Sequence, residues 1–352
     1  MHYLFAENDS DLFRVFGTES ISDKPTVPDT LLLHTLCHGS GDTQVLWKSV
    51  SLRAERMTLK PDPDDRPPIN LYTMNADGTN VRMLAAPLPG FTQIASAEWS
   101  ADGTKLIGDM SEGGIETSRI LVMNSDGSGV QDLGPGCMPS LSPDNSEVVF
   151  SQPGIGIMRM KADGSERKLV ESNGWGTQWS PDGRHIAWAE ANNVVLLDPK
   201  TNKRRTLLTS EQSAQLGYVY WNIGWSLDSK SLAFKARSGD RTSTLVAVAD
   251  ADAADGFRIV YSGPDHINED FTWHPDGRRV VFSVFDQAGS VSRLMMVNRD
   301  APEIPERLPG QPVDWNMLGS DWSPDSKQIA FSAHALSQPV EWPPRGFKAE
   351  RR

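Results

Sequence analysis

Trp179-Ser180-Pro181-Asp182-Gly183, followed by Arg184-His185-Ile186-Ala187-Trp188-Ala189, is the stretch that decides the fold. Pro181 presets its φ, Asp182 favours the next turn position and Gly183 accepts a positive φ, so the segment reads as a tight turn. Gly176-Thr177-Gln178-Trp179 before it and the alternating apolar run after it are the two strands of a hairpin. Asn193-Val194-Val195-Leu196-Leu197-Asp198 supplies a third strand and Lys203-Arg204-Arg205-Thr206-Leu207-Leu208 a fourth. Working outward, the same pattern stands at 99–103, 141–145, 225–229, 273–277 and 322–326, at steps of 42, 38, 46, 48 and 49 residues. A supersecondary unit repeated at that period, too small to bury its own faces, predicts an all-β propeller of four-stranded antiparallel blades.

A second turn repeats between the third and fourth strands: Asn75-Ala76-Asp77-Gly78, Asn124-Ser125-Asp126-Gly127 and Lys161-Ala162-Asp163-Gly164. Asp-Gly between apolar runs is a hairpin signal, so these aspartates are read as turn formers rather than metal ligands. The Trp of each motif is expected to pack between blades. Asn145, Ser229 and Ser326 replace the turn glycine. Because a left-handed conformation costs a non-glycine residue about 1 kcal/mol, those turns are expected to differ in type.

Six first hairpins are plain, but the last, 321–333, has no outer pair after it, and the outer pair 71–84 has no clear hairpin before it. Two closures are open. In one, six blades form and 71–84 completes the blade begun at Trp322. In the other, residues 34–50 are an eroded seventh hairpin and residues 2–16, which echo 71–84, finish the C-terminal blade. The seven-bladed closure is preferred, because it ties both termini into one sheet. It implies one propeller over 1–333 with a loop insertion at 51–68 and a tail at 334–352, and it makes removal of 1–18 destructive.

These motifs resemble the TolB-type, WD-like propeller repeats of bacteria, clearly over 69–333 and weakly over 1–50. The resemblance implies a binding or scaffolding role. TolB itself adds an export signal and an N-terminal α/β domain, neither of which is visible here, so a role in the Tol envelope system does not carry over. Similar propellers precede the catalytic domain of prolyl-oligopeptidase-like peptidases, but no Gly-x-Ser-x-Gly occurs in the chain.

Composition narrows the partners. With 46 acidic and 34 basic residues the formal net charge is −12, which disfavours nucleic acid and anionic membranes. No apolar run is long enough to span a membrane, and no export signal opens the sequence. A cytoplasmic monomer is expected, or a periplasmic protein if the chain is a processed form. Cys37 and Cys137 are expected on opposite faces, Cys137 in a connection between blades, as two free thiols. No zinc motif, phosphate loop or dinucleotide fingerprint is present, so neither metal nor cofactor is expected. Asp250-Ala251-Asp252-Ala253-Ala254-Asp255-Gly256 departs from calcium-loop spacing and reads as an extended turn.

The stereotyped turns share one face of a propeller, and the irregular connections share the other. That second face carries Trp175, Tyr218, Tyr220, Trp221, Asn222, His266, Asn268, Glu269, Trp315 and Asn316 just ahead of the innermost strands. Aromatic rings flanked by amides at a channel mouth suit a peptide or protein partner, or a glycan. The competing reading makes these rings channel plugs. The alternative function is a glycan lyase or hydrolase with His266, Glu269, Asp270 and Asp314 as its acid–base cluster.

Overall fold

The computed structural model describes residues 2–6, 12–19, 50–56 and 67–335, apart from 253–255, 265, 268–270, 287–290, 302–304 and 313–314. The chain divides into two units, Met1–Arg66 and Pro67–Arg352. In the first, His2–Ala6, Leu12–Glu19 and Val50–Arg56 form a three-stranded antiparallel sheet.

The second unit is a six-bladed propeller. Blade I runs from Gln93 to Pro135, blade II from Cys137 to Glu171 and blade III from Trp175 to Thr206. Blade IV spans Leu216 to Gly263 and blade V His266 to Arg307. Blade VI joins Trp315–Trp322 and Gln328–Ala335 to Asn70–Asn75 and Arg82–Ala85.

The seven-bladed expectation is therefore corrected to six. The edge of Gln328–Ala335 is taken by Asn70–Asn75, with Ile329 opposite Met74 and Phe331 opposite Tyr72. Residues 2–16 do not close that blade: His2 pairs with Phe16 and Phe13 with Arg56, within the N-terminal sheet. Part of the expected insertion at 51–68 is the strand Val50–Arg56. Of the supposed eroded hairpin, 34–50, all but Val50 lies outside the described residues, Cys37 included. The physical reason is edge satisfaction: one pair of outer strands completes the last blade, and 70–85 is near at hand in the ring.

Six apolar clusters hold the ring together, each shared by two neighbouring blades. The motif residues Trp99, Leu141, Trp179, Trp225, Trp273 and Trp322 are all buried in them. Trp225 of blade IV stacks on His185 of blade III at 6.0 Å, and Trp273 donates its indole N–H to Gly224 O.

The motif aspartates work as turn formers. Ser142 and Ser146 donate their hydroxyls to Asp144, at 2.6 and 2.7 Å, and Ser146 N–H adds a third bond. Those bonds lower the Asp144 carboxyl to about 2. The pattern recurs at Asp102, Asp182, Asp228 and Asp325. In the fifth motif copy His274 replaces the serine and accepts Asp276 N–H instead.

The turns lacking glycine do not change type. Asn145, Ser229 and Ser326 hold φ of 57°, 61° and 65°, close to the 69°, 70° and 67° of Gly103, Gly183 and Gly277. Hydrogen bonding within the turn therefore outweighs the steric cost. Ser326→Gly is expected to relieve that cost and stabilise the fold by about 0.5–1 kcal/mol. The check is a thermal midpoint about 2 °C higher.

Candidate functional site

Every blade points an inner strand at the axis, and five of them carry a register shift there. The shifts fall between Ala95 and Glu98, Cys137 and Ser140, Trp175 and Thr177, Val219 and Ile223, and Met317 and Ser320. A bulge bends its strand and re-aims the extra residue. Here the bulged residues Ser96, Met138 and Gly176 adopt positive φ and line the axial cavity. That cavity has a volume of about 30 Å³, room for a water molecule and little more.

Around the axis, three residues that precede a motif's first position, Glu98, Ser140 and Asp321, link blades through polar bonds. Asp321 accepts Trp99 N–H from blade I and the Thr272 hydroxyl from blade V, both at 2.8 Å. Ser140 donates to Glu98 at 2.8 Å and accepts Trp179 N–H at 3.0 Å. Among the described residues the centre of the ring is thus crossed by hydrogen bonds between blades, which leave a narrow cavity on the axis.

Blade IV differs from the others. Val219 and Ile223 pair with Ala236 and Phe234, so Tyr220, Trp221 and Asn222 are carried on a wider bulge. Its neighbour approaches closely: a Cβ on Gly176, whose φ is +69°, would fall 2.2 Å from Trp221 O. Glycine at 176 lets blade III tuck under Trp221.

Between blades III and IV opens a groove of about 670 Å³. Trp175, Tyr218 and Trp221 line it together, with Asn173, Glu190 and Asn192 among its polar groups. Tyr218 and Trp221 keep 45% and 36% of their surface exposed, high for large aromatic residues in a folded domain. Tyr220 meets both of them edge-on, Tyr218 at 4.8 Å and Trp221 at 5.8 Å. Tyr220 is anchored by Arg237, which donates to its hydroxyl, and by Lys235, whose ammonium lies 4.5 Å from the ring centroid. One wall is the two-residue turn Ala191-Asn192, with φ of 48° and 61°. Both central residues of that turn have the positive φ of a type I′ hairpin. At the rim, Glu190 accepts Trp188 Nε1–H and an Arg204 N–H, each at 2.9 Å, and Arg204 also bonds Glu171.

Three of the ten expected binding residues, Trp175, Tyr218 and Trp221, thus converge in one groove, with Tyr220 packed directly behind. Trp315 stands elsewhere. It meets Tyr72 edge-on at 4.5 Å and packs on the cluster between blades V and VI, while Asn316 accepts Ser292 N–H at 2.6 Å. Asn268, Glu269, Asp270 and Asp314 lie outside the described residues, as do the side chains of Asn222 and His266. Sequence reasoning missed Glu190 and Asn192 as lining groups; the Ala191-Asn192 turn and its two strands were the available signal. Among the described residues no group of three or more His, Cys, Asp or Glu could hold a metal ion, and no helix is long and apolar enough to cross a membrane. Cys137 opens the inner strand of blade II rather than lying in a connection. Its thiol is free and buried, and burial pushes its pKa up, with Asp109 and Glu116 adding to the effect.

A family described as "Protein of unknown function (DUF1583) C domain" matches residues 1–83. No curated protein sequence matches the chain. Among solved structures, a putative TolB from Agrobacterium tumefaciens is similar at 17% identity and a TM-score of 0.56, over 75% of this chain and 97% of that one. TolB from Acinetobacter baumannii is similar at 16% identity and a TM-score of 0.52, over 76% of this chain and 64% of that one. A chain of a nidogen/laminin complex follows at 11% identity and a TM-score of 0.51, over 67% and 91%. Likeness at these identities shows the β-propeller fold.

Proposed function

We propose that this propeller is a binding module that holds an extended peptide segment of a partner protein in the groove between blades III and IV. The observation that carries the reading is the convergence of Trp175, Tyr218 and Trp221 in one open groove of about 670 Å³ beside a much narrower axial cavity. Grooves of that volume, with aromatic walls and a few polar groups, are where ligands are held. The wide bulge of blade IV supports the same reading, since it presents Trp221 where regular pairing would alternate it along the sheet. Aromatic side chains in such positions supply much of the energy of protein interfaces. The TolB-like fold is compatible with a binding role.

The test is capture of partners from native lysate by the wild-type protein and by Tyr218→Ala/Trp221→Ala. The double variant is expected to lose capture, with truncation of each anchor costing about 2 kcal/mol of binding. Its thermal midpoint should stay close to wild type, because both rings are substantially exposed. Undiminished capture by the double variant would remove the groove from the account.

A further inference from the structure

We infer that the segment held in this groove is basic and places a lysine or arginine side chain against the Trp175, Tyr218 and Trp221 rings. The inference rests on the groove being the binding site and adds the chemistry of its occupant. Its first support is local charge. Glu190 is the groove's charged lining residue among those described, and no lysine or arginine lines it. Arg204 is shared between Glu190 and Glu171, so two carboxylates face one guanidinium and this trio keeps a net charge of about −1. Arg204 and Arg205 line the adjoining cavity, which shares Glu190 and Ala191 with the groove.

The second support is the rings themselves. An aromatic face attracts a cation by about 0.5–2 kcal/mol, more as water is excluded. The neighbouring Tyr220 already shows this chemistry, with the Lys235 ammonium 4.5 Å from its centroid. Lys235, Arg237 and Tyr220 itself are absent from the groove lining, so those two cations do not occupy it. The third support is the protein's overall charge of −12, which steers a basic segment toward the surface and repels an acidic one.

The experiment titrates the full-length protein with three labelled ten-residue peptides, alternating glycine with lysine, with serine or with glutamate. The lysine peptide is expected to bind tightest, and its affinity should fall several-fold when ionic strength rises from about 0.05 M to about 0.5 M. Tyr218→Leu and Trp221→Leu should each weaken it by about tenfold, whereas Tyr218→Phe, which keeps the ring, should not. Glu171→Gln, which leaves Arg204 to neutralise the rim, should also weaken it.

Equal affinity of the lysine peptide for wild type and Tyr218→Leu would mean general attraction to an acidic surface and would overturn the inference. Tighter, Tyr218-dependent binding of the serine or glutamate peptide would overturn the basic occupant while leaving the groove as the binding site. Competition by tetramethylammonium at concentrations matching the peptide would reassign the site to small amines. Binding of none of the peptides, together with undiminished capture by Tyr218→Ala/Trp221→Ala, would remove both readings.

Discussion

A chain beginning at Phe91, and so lacking Asn70–Asn75 and Arg82–Ala85, is expected to aggregate or fail to fold, whereas one beginning at Pro67 keeps a stable propeller. The shorter chain bares the edge of Gln328–Ala335, which in the intact protein is paired residue for residue from Gln328 opposite Asn75 to Ala333 opposite Asn70. It also uncovers Ile329, Phe331 and Ala330, now fully buried, and removes Leu71 and Met74 from the clusters on either side of blade VI. An apolar strand edge of that length invites pairing with another chain. Loss of Leu71 and Met74 alone, at about 2–5 kcal/mol per large buried side chain, approaches the whole stability of a typical domain. The chain beginning at Pro67 keeps every strand of the six blades, so its hydrogen-bonded edges are complete. Circular dichroism and size-exclusion chromatography of the two chains decide the matter. A soluble, cooperatively melting protein from Phe91 onward would contradict the six-bladed closure.

Replacing Gly176 by alanine is expected to damage both the fold and the groove. The new Cβ would lie 2.2 Å from Trp221 O and 2.7 Å from the Trp221 Cβ, and Gly176 also holds a φ of +69°. Two penalties add: about 1–3 kcal/mol for overpacking and about 1–2 kcal/mol for an L-residue in the left-handed region. A loss of about 3 kcal/mol corresponds to a fall of roughly 6–12 °C in the thermal midpoint. Because relief comes from moving the blade IV bulge away, Trp221 should shift with it and peptide affinity should fall in parallel. Ala189→Gly, a groove-lining change without a clash, serves as the comparison. A midpoint within a degree of wild type for Gly176→Ala would show that blade III does not seat against Trp221 in this way.

By itself the sequence determined the unit of the fold. Trp179 to Gly183 and its five relatives encode a strand, a tight turn and a strand through local chemistry that does not depend on what lies beside it. That is why the blade order and the role of the aspartates could be read directly, as the Ser142–Asp144–Ser146 bonds bear out. The choice between two partners for one edge was different in kind. Tyr3 to Val15 and Leu71 to Leu84 carry the same apolar-turn-apolar pattern, so either could satisfy Gln328–Ala335 locally. Tertiary structure decided for Leu71 and Met74, which fit the clusters on both sides of blade VI.

The groove divides the same way. Aromatic residues ahead of the inner strands were legible as mouth candidates, because their place in the repeat fixed their face. What separated Trp175, Tyr218 and Trp221 from Trp315 was the bulge between Val219 and Ile223 and the ring of Tyr72 waiting for Trp315. A bulge is an offset between two paired strands, and a ring contact joins residues far apart in the chain. Neither exists until the blades are packed, so only the folded ring could assign one tryptophan to a groove and another to a core.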